Sequence, residues 1–549
     1  MIPSSLEITR TCIDVAMRRR PADCVIKNAR IFNLVTGELL TQDIAICGKT
    51  IAAIGADYEG KEVIDAKGLT AVPGFTDAHC HIESSMVTPQ AWERMVLPRG
   101  ITSAVCDPHE LANVFGTAAI DAFIKSSKTL LMNLQVQIPS CVPALPSEEA
   151  GARLDAQAIM PYATTHALAE MMNVPGVIFG DEDVLQKLEA FGDRPIDGHA
   201  PLVDNDALNA LCVAGVANDH ECSSTAEALQ KLRLGMTILI RAGSVGRNLD
   251  ALAPLLTLEY ADRICLCTDD RDPRDVRLEG HLDAAIRKAI ATGCDPLAVY
   301  RAACLTPARH FGWRNRGLIA PGYQADIVLM PDLADCRAEM VFVRGQKVTE
   351  EALNARPTEA DWTPFFNSVR LATDLTSTDF SPVNDERVIQ LHEGTLLTSA
   401  ITQTTCDSAP ALLALVARHG TSNRIGKAFV SGFHLEDGAF ASTVGHDSHN
   451  LCVVGTSPEA MALAANALRA CGGGFAVVHK GSVTGVLPLP VGGLLSTCSW
   501  EEVADQLDAL HHAAKKTGCP LQNPFLALAF LPLPVIPSAR ITLDGFTAC

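Results

Sequence analysis

The sequence predicts an α/β chain built on a TIM-type (β/α)8 barrel, with a flanking composite β-sandwich and a C-terminal α/β domain. Three observations predict it. The stretch from about 74 to 316 alternates short apolar runs with amphipathic helical segments. Two strand-rich patches flank that stretch, and a third zone of mixed character runs to the end of the chain. At 549 residues the chain is too long for one core, which agrees with several domains.

The first patch, 22–73, reads as short strands and turns: CVIKNARIFN, DIAICG, TIAAIG, EVIDAKG and LTAVPG, in which β-branched residues and spaced glycines replace helical periodicity. It returns at GLIAPGYQADIVLM and AEMVFVRGQKV, so 22–73 and 317–365 are expected to form one β-sandwich. Eight runs follow in 74–316: GFTDAHCH, ITSAVC, LLMNLQVQI, HALAEMM, RPIDGHA, GVANDHE, MTILIRA and RICLCTDD. Helical candidates between them include 110–128, 204–213, 223–234 and 281–292. The third domain, 366–549, has its clearest helices at 457–470 and 500–517.

Composition narrows the partners. A formal net charge of −19 disfavours nucleic acid, because a polyanion repels phosphate backbones, and leaves a small neutral or cationic substrate compatible. The N-terminus lacks a hydrophobic signal core. The most apolar tail segment, 525–537, is short and broken by prolines, so no membrane partner is expected. The 19 cysteines are scattered without a CxxC pair, as expected of buried thiols in a reducing cytoplasm.

The chemistry begins at Asp77-Ala-His79-Cys-His81-Ile-Glu83. On a strand, alternate side chains share a face, so these four polar residues are expected to point together into the barrel mouth. HxH alone is equally compatible with two unrelated polar residues near a loop. The later strands decide between these readings: Glu170 in LAEMMN, His199 in DGHAP, His220 in NDHEC and Asp269 in CTDDR each end a run just before a loop. Barrel enzymes keep their active sites at those strand ends. Neutral histidines with two carboxylates suit a pair of divalent ions sharing one hydroxide; Glu170 is suited to bridge them and Asp269 to shuttle a proton.

This set resembles the amidohydrolase superfamily. VPGFTDAHCHIESSM, LPRGITSAVCDPHELANVFG, LAEMMNVPGVI, TDDR (268–271) and VGHDSHNLCVVG (444–455) resemble the bacterial adenine deaminase family within it, along nearly the whole chain. The resemblance implies hydrolysis of adenine to hypoxanthine and ammonia in purine salvage, in the cytoplasm. It implies two divalent metal ions per chain, Mn²⁺ or Fe²⁺ with Zn²⁺ also accommodated, on His79, His81, Glu170, His199, His220 and Asp269. Asp269 is preferred to Asp270 as the ligand because it ends the strand first. A homodimeric assembly is expected.

Relatives that hydrolyse anionic cyclic amides carry HxHxR, and Glu83 stands at the position of that Arg. An acid there can pair with an N–H or a ring nitrogen of a purine, and it opposes a carboxylate ligand. Glu83 is therefore assigned to substrate binding and catalysis, beside Asp269 as the proton carrier. His109, in Asp107-Pro108-His109-Glu110, is assigned to substrate binding, with helix capping by this segment as the alternative. His446 and His449 are expected to form a lid or a further metal site, and His281 a contact or a cap. Two competing readings are a cyclic-amide hydrolase of the dihydroorotase or hydantoinase kind, and a non-catalytic barrel scaffold. The missing Arg and the lack of a fourth-strand Lys count against the first, and the complete set of six ligands against the second.

Overall fold

The structure is a computed structural model that describes residues 6–244, 246–357, 360–392, 397–406, 409–533 and 538–548. Part of the apolar tail segment, 534–537, lies outside the described residues. Among the described residues, no helix is long and apolar enough to cross a membrane.

The two strand-rich patches meet in one eight-stranded sheet, in which Ile327–Met330 pairs antiparallel with Thr70–Pro73. The long strand Ala22–Phe32 organises it. Its first half pairs parallel with Gly60–Asp65 and its second with Thr70–Pro73. The handover falls at an irregularity between Ile26 and Ala29, where Asn28 has a φ of 58°. A bulge there lets one strand serve two neighbours and curls the sheet around Ile26, Ile31, Ile44, Ile327 and Phe342. Alternate residues, Val25, Ala45 and Ala53, pack instead against the N-terminal helix Leu6–Ala16 through Cys12 and Val15.

The middle region holds two three-stranded parallel sheets: Phe75–Cys80, Ile101–Cys106, Asn133–Val136, and Asn218–Asp219, Thr237–Arg241, Ile264–Cys267. Single parallel bridges join them: Ile138 to Leu168, Met171 to Gly198, and Ile196 to Val216. A further parallel bridge, Cys80 to Asp269, brings the pairings back to the first strand. These apolar strands are buried along their whole length, as expected of parallel strands covered by helices. Gly198 permits one close approach, since a Cβ there would lie 2.3 Å from the Asn218 carbonyl oxygen. The helix anticipated at 110–128 is two, His109–Phe115 and Thr117–Ser127. Gly116, at a φ of 62°, turns the chain between them.

The C-terminal region is a mixed eight-stranded sheet backed by the helices Pro458–Cys471 and Trp500–Lys516. Ser499 and Glu502 form a capping box at the start of the second helix, and Arg274 and Arg277 of the middle region pair with its Asp508. The loop 443–450, which carries both C-terminal histidines, descends from this sheet onto the ends of the parallel strands.

Candidate metal centre and substrate wall

Backbone pairing sets the site before any side chain is considered. The His79 carbonyl accepts the Asp269 N–H at 3.0 Å, and the Asp269 carbonyl accepts the His81 N–H at 3.1 Å. The first and last parallel strands are thereby stitched together where three of the predicted ligands sit. Asp269 adopts a left-handed φ of 58°, which swings its carboxylate back over the strand end. Glu170 is held between the Leu168 and Met171 bridges, and His220 follows Asn218–Asp219, its carbonyl tied by Asn248 Nδ2 at 3.0 Å.

The side chains converge on two adjoining spots. Asp269 Oδ1 lies 3.4 Å from His79 Nε2 and 3.2 Å from His81 Nε2, and the two imidazole nitrogens are 3.2 Å apart. Glu170 reaches both spots. Its Oε1 is 3.4 Å from His81 Nε2, and its Oε2 is 3.0 Å from His199 Nδ1 and 3.4 Å from His220 Nε2. All six residues predicted as ligands are in this cluster, and all but the half-buried His199 are buried. His81 Nδ1 sits 3.0 Å from the Asp107 carbonyl, so donation there leaves Nε2 as the acceptor.

The electrostatics match a cation site. Burial alone would raise both carboxyls. His199 nonetheless holds Glu170 well below the usual carboxylate range, and Arg241 does the same for Asp269. Burial likewise opposes charge on His81, but Asp269 and Glu170 outweigh it and push the imidazole up. His199 is pushed up to about 9, with Glu221 and Glu170 overcoming its burial. Clustered imidazoles and ionised carboxylates, all within 4.8 Å of one another in each group, are the hard-to-borderline donor set that divalent Mn, Fe or Zn accepts. The residues fit a pair of such ions.

The amidohydrolase family matches residues 70–348, and the adenine deaminase C-terminal domain matches residues 390–549. An adenine deaminase of Sinorhizobium fredii is 48% identical, covering 97% of this chain and 97% of its own length. The chain belongs to the adenine deaminase family of amidohydrolases. Adenine deaminase 1 of Rhizobium meliloti is 47% identical over 98% of each chain, and an adenine deaminase of Gluconobacter oxydans is 47% identical over 96% of this chain and 95% of its own.

In this family member Glu83 reaches the site by a different route from the one strand alternation predicts. The strand ends at Cys80, and Ile82–Ser85 is a turn of 3₁₀ helix, so parity with His79 and His81 does not extend to Glu83. The side chain is buried all the same. Its Oε1 accepts the Leu111 N–H at 3.2 Å, while Oε2 has no hydrogen-bond partner. Burial, reinforced by Glu110, pushes its carboxyl up to about 8.

His109 lies deeper than a substrate contact alone requires. Its Nδ1 is 3.1 Å from Asp107 Oδ2 and 3.4 Å from Glu170 Oε1, and its ring meets that of His81 edge-on. Asp107 overcomes the burial of His109 and pushes it up to about 10. Helix capping is not its role, since Pro108 occupies the N-cap and no side chain bonds there. Nor does His281 cap its helix by a side-chain bond. It packs edge-on against Trp92, 3.5 Å from Thr268 Oγ1.

Sequence reasoning missed two residues that contact this cluster. Arg241, at the end of the strand Thr237–Arg241, donates to Asp269 Oδ2 at 2.7 Å and also pairs with Glu221. Glu221 in turn stands 3.4 Å from His220 Nε2 and 3.7 Å from His199 Nδ1. The available signals were a lone cation closing an apolar run and an acid directly after His220. The far wall comes from the C-terminal loop. Asp447 Oδ1 is 3.8 Å from His109 Nε2, His446 Nδ1 is 3.9 Å from Glu110, and His449 Nε2 is 4.0 Å from it. Ser84 contacts both Glu110 and Asp270, and Asp270 also lies within 4.8 Å of the ligand atoms of His81 and Asp269.

Proposed function

We propose that this chain is a hydrolase of C–N bonds that converts adenine to hypoxanthine and ammonia at a two-metal centre. The observation that carries the substrate is kinship with adenine deaminases along the full length of the chain. We read the circuit of parallel strands as a closed eight-unit barrel spanning 74–316, with 22–73 plus 317–365 and 366–549 as its two companion domains. Cytoplasmic residence and a homodimer remain part of the proposal.

His79, His81 and Asp269 would hold one ion and His199 and His220 the other, with Glu170 shared between them. Two divalent ions there supply Lewis acidity, making the hydrolytic water acidic enough to lose a proton near neutral pH. Asp269 takes that proton as water attacks C6 of adenine, and passes it to the departing amine. Arg241 keeps Asp269 ionised and turned toward the strand mouth, because its guanidinium grips the second oxygen. Glu83, through the oxygen that the protein leaves unpartnered, bonds a ring nitrogen and limits charge build-up on the purine. His109 and the 446–449 loop close the other side and exclude bulk water.

A panel of adenine, adenosine, cytosine and dihydroorotate on metal-reconstituted protein tests this reading. Adenine is expected to be the preferred substrate. Turnover of dihydroorotate without adenine would overturn the proposal.

A further inference from the structure

The opposite end of the barrel carries an unrelated concavity. An open cleft of about 470 Å³ is lined by Asn133, Gln135, Trp313, Arg314, Arg316 and Arg344, among others. Asn133 begins the strand Asn133–Val136, so the cleft opens at the N-terminal end of the barrel, away from the metal ligands. Three guanidinium groups gather there on a chain whose net charge is −19.

Their tethers are neutral. Arg316 Nη2 donates to Asn133 Oδ1 at 2.9 Å, and Arg344 Nε donates to the same oxygen at 3.1 Å. Arg344 Nη2 also reaches the Met132 carbonyl at 3.3 Å. Arg316 lies over the Trp313 ring at 4.8 Å, and Trp313 Nε1 is fixed by Gln135 Oε1 at 2.8 Å. The nearby buried carboxylate, Asp326, is hydrogen-bonded by Asn133 Nδ2, Gln324 Nε2 and the Arg344 backbone N–H, and its single charge offsets only part of that of Arg316 and Arg344. Arg316 Nε is buried without a hydrogen-bond partner. Two planar donors are thus pre-oriented by one amide oxygen, a third cation stands at the rim, and unused N–H groups remain. Like charges held together in a half-buried cleft repel, and an oxyanion relieves that repulsion while accepting bidentate bonds. Because Trp313 already carries Arg316, recognition would rest on the anion and not on ring stacking.

We propose that this cleft binds a phosphate group, supplied either by inorganic phosphate or pyrophosphate or by a nucleotide. The inference is independent of the catalytic reading. Isothermal titration of the intact, metal-loaded protein at constant ionic strength tests it with phosphate, pyrophosphate and AMP as probes. Saturable binding with a Kd of about 1 mM or tighter is expected, weakened at least about tenfold in Arg314→Gln and Arg316→Gln. Phosphate bound at the metals would persist in both variants, which separates the two locations. Arg314 is exposed, so its replacement leaves the fold and adenine turnover unchanged and keeps the test valid if Arg316→Gln is unstable. Equal affinity for the three probes assigns a free phosphate group, and tighter binding of AMP assigns a nucleotide. Absence of saturable binding up to about 10 mM, or unchanged binding in Arg314→Gln and in a folded Arg316→Gln, would overturn the proposal.

Discussion

Asp269→Asn is the perturbation that most directly separates proton transfer from metal holding. The side chain makes two kinds of contact: Oδ1 faces His79 and His81 at 3.4 and 3.2 Å, and Oδ2 receives Arg241 Nη1 at 2.7 Å. Asparagine keeps the shape and loses both the charge and the base. Arg241 retains Glu221 as its counter-ion, so the substitution does not leave a buried cation unpaired. The structural cost is one charge-assisted hydrogen bond, about 1.5–3 kcal/mol, which a protein of ordinary stability survives. The kinetic cost is larger. Loss of a positioned general base is worth about 10²–10⁴-fold, or roughly 2.7–5.4 kcal/mol of barrier at 1.36 kcal/mol per decade. The assay is kcat for hypoxanthine formation together with elemental analysis of the same preparation. The expected outcome is a rate reduced by at least about 10²-fold with most of the metal retained, because Glu170 and four histidines remain. A rate within about threefold of the parent at full metal loading would refute the reasoning. Asp270→Asn, whose carboxylate bonds Ser84 instead, is the companion control and is expected to cost far less.

Three further outcomes follow from the same geometry. Glu83→Gln removes an acid whose second oxygen has no partner, and is expected to lower adenine turnover severely while metal content stays near the parent's; unchanged turnover would place Glu83 outside the substrate wall. Arg241→Gln leaves Asp269 and Glu221 buried without their shared cation, and is expected to cost about 3–5 kcal/mol in denaturant unfolding of the chelated protein, with part of that recovered when metal is added. Metal-independent stability equal to the parent's would remove Arg241 from its charge-pairing role. Glu170→Gln, which takes charge from both spots at once, is expected to weaken binding of both ions, and elemental analysis showing loss of one alone would contradict the shared position.

The cluster was legible because the apolar runs of the middle region end where their polar residues begin, a local signal that survives in the sequence. His79, His81, Glu170, His199, His220 and Asp269 each close an apolar run, and these six converge in space. Glu83 shows where that logic stops. Alternation holds only while the strand lasts; the strand ends at Cys80, and the 3₁₀ turn Ile82–Ser85 carries Glu83 instead. Arg241 was hidden in an apolar run because nothing local distinguishes a cation snorkelling outward from one turned in to a carboxylate. The position of Asp447, His446 and His449 depends on the docking of the C-terminal loop onto the ends of the parallel strands, a tertiary event with no periodic trace. The eight-stranded sheet that Ala22–Phe32 organises was visible as two strand-rich patches. The bulge that lets Ala22–Phe32 serve two partners was not, since Asn28 carries no sequence mark beyond its tolerance of positive φ.

The central claim is that this chain deaminates adenine with two ions whose shared ligand is Glu170. Its most direct test is a titration of chelated protein with Mn²⁺, reading hypoxanthine and ammonia formation against bound metal per chain. The account predicts activity that climbs to a plateau at about two ions per chain. Full activity at one ion, or no deamination of adenine at any loading, would contradict it.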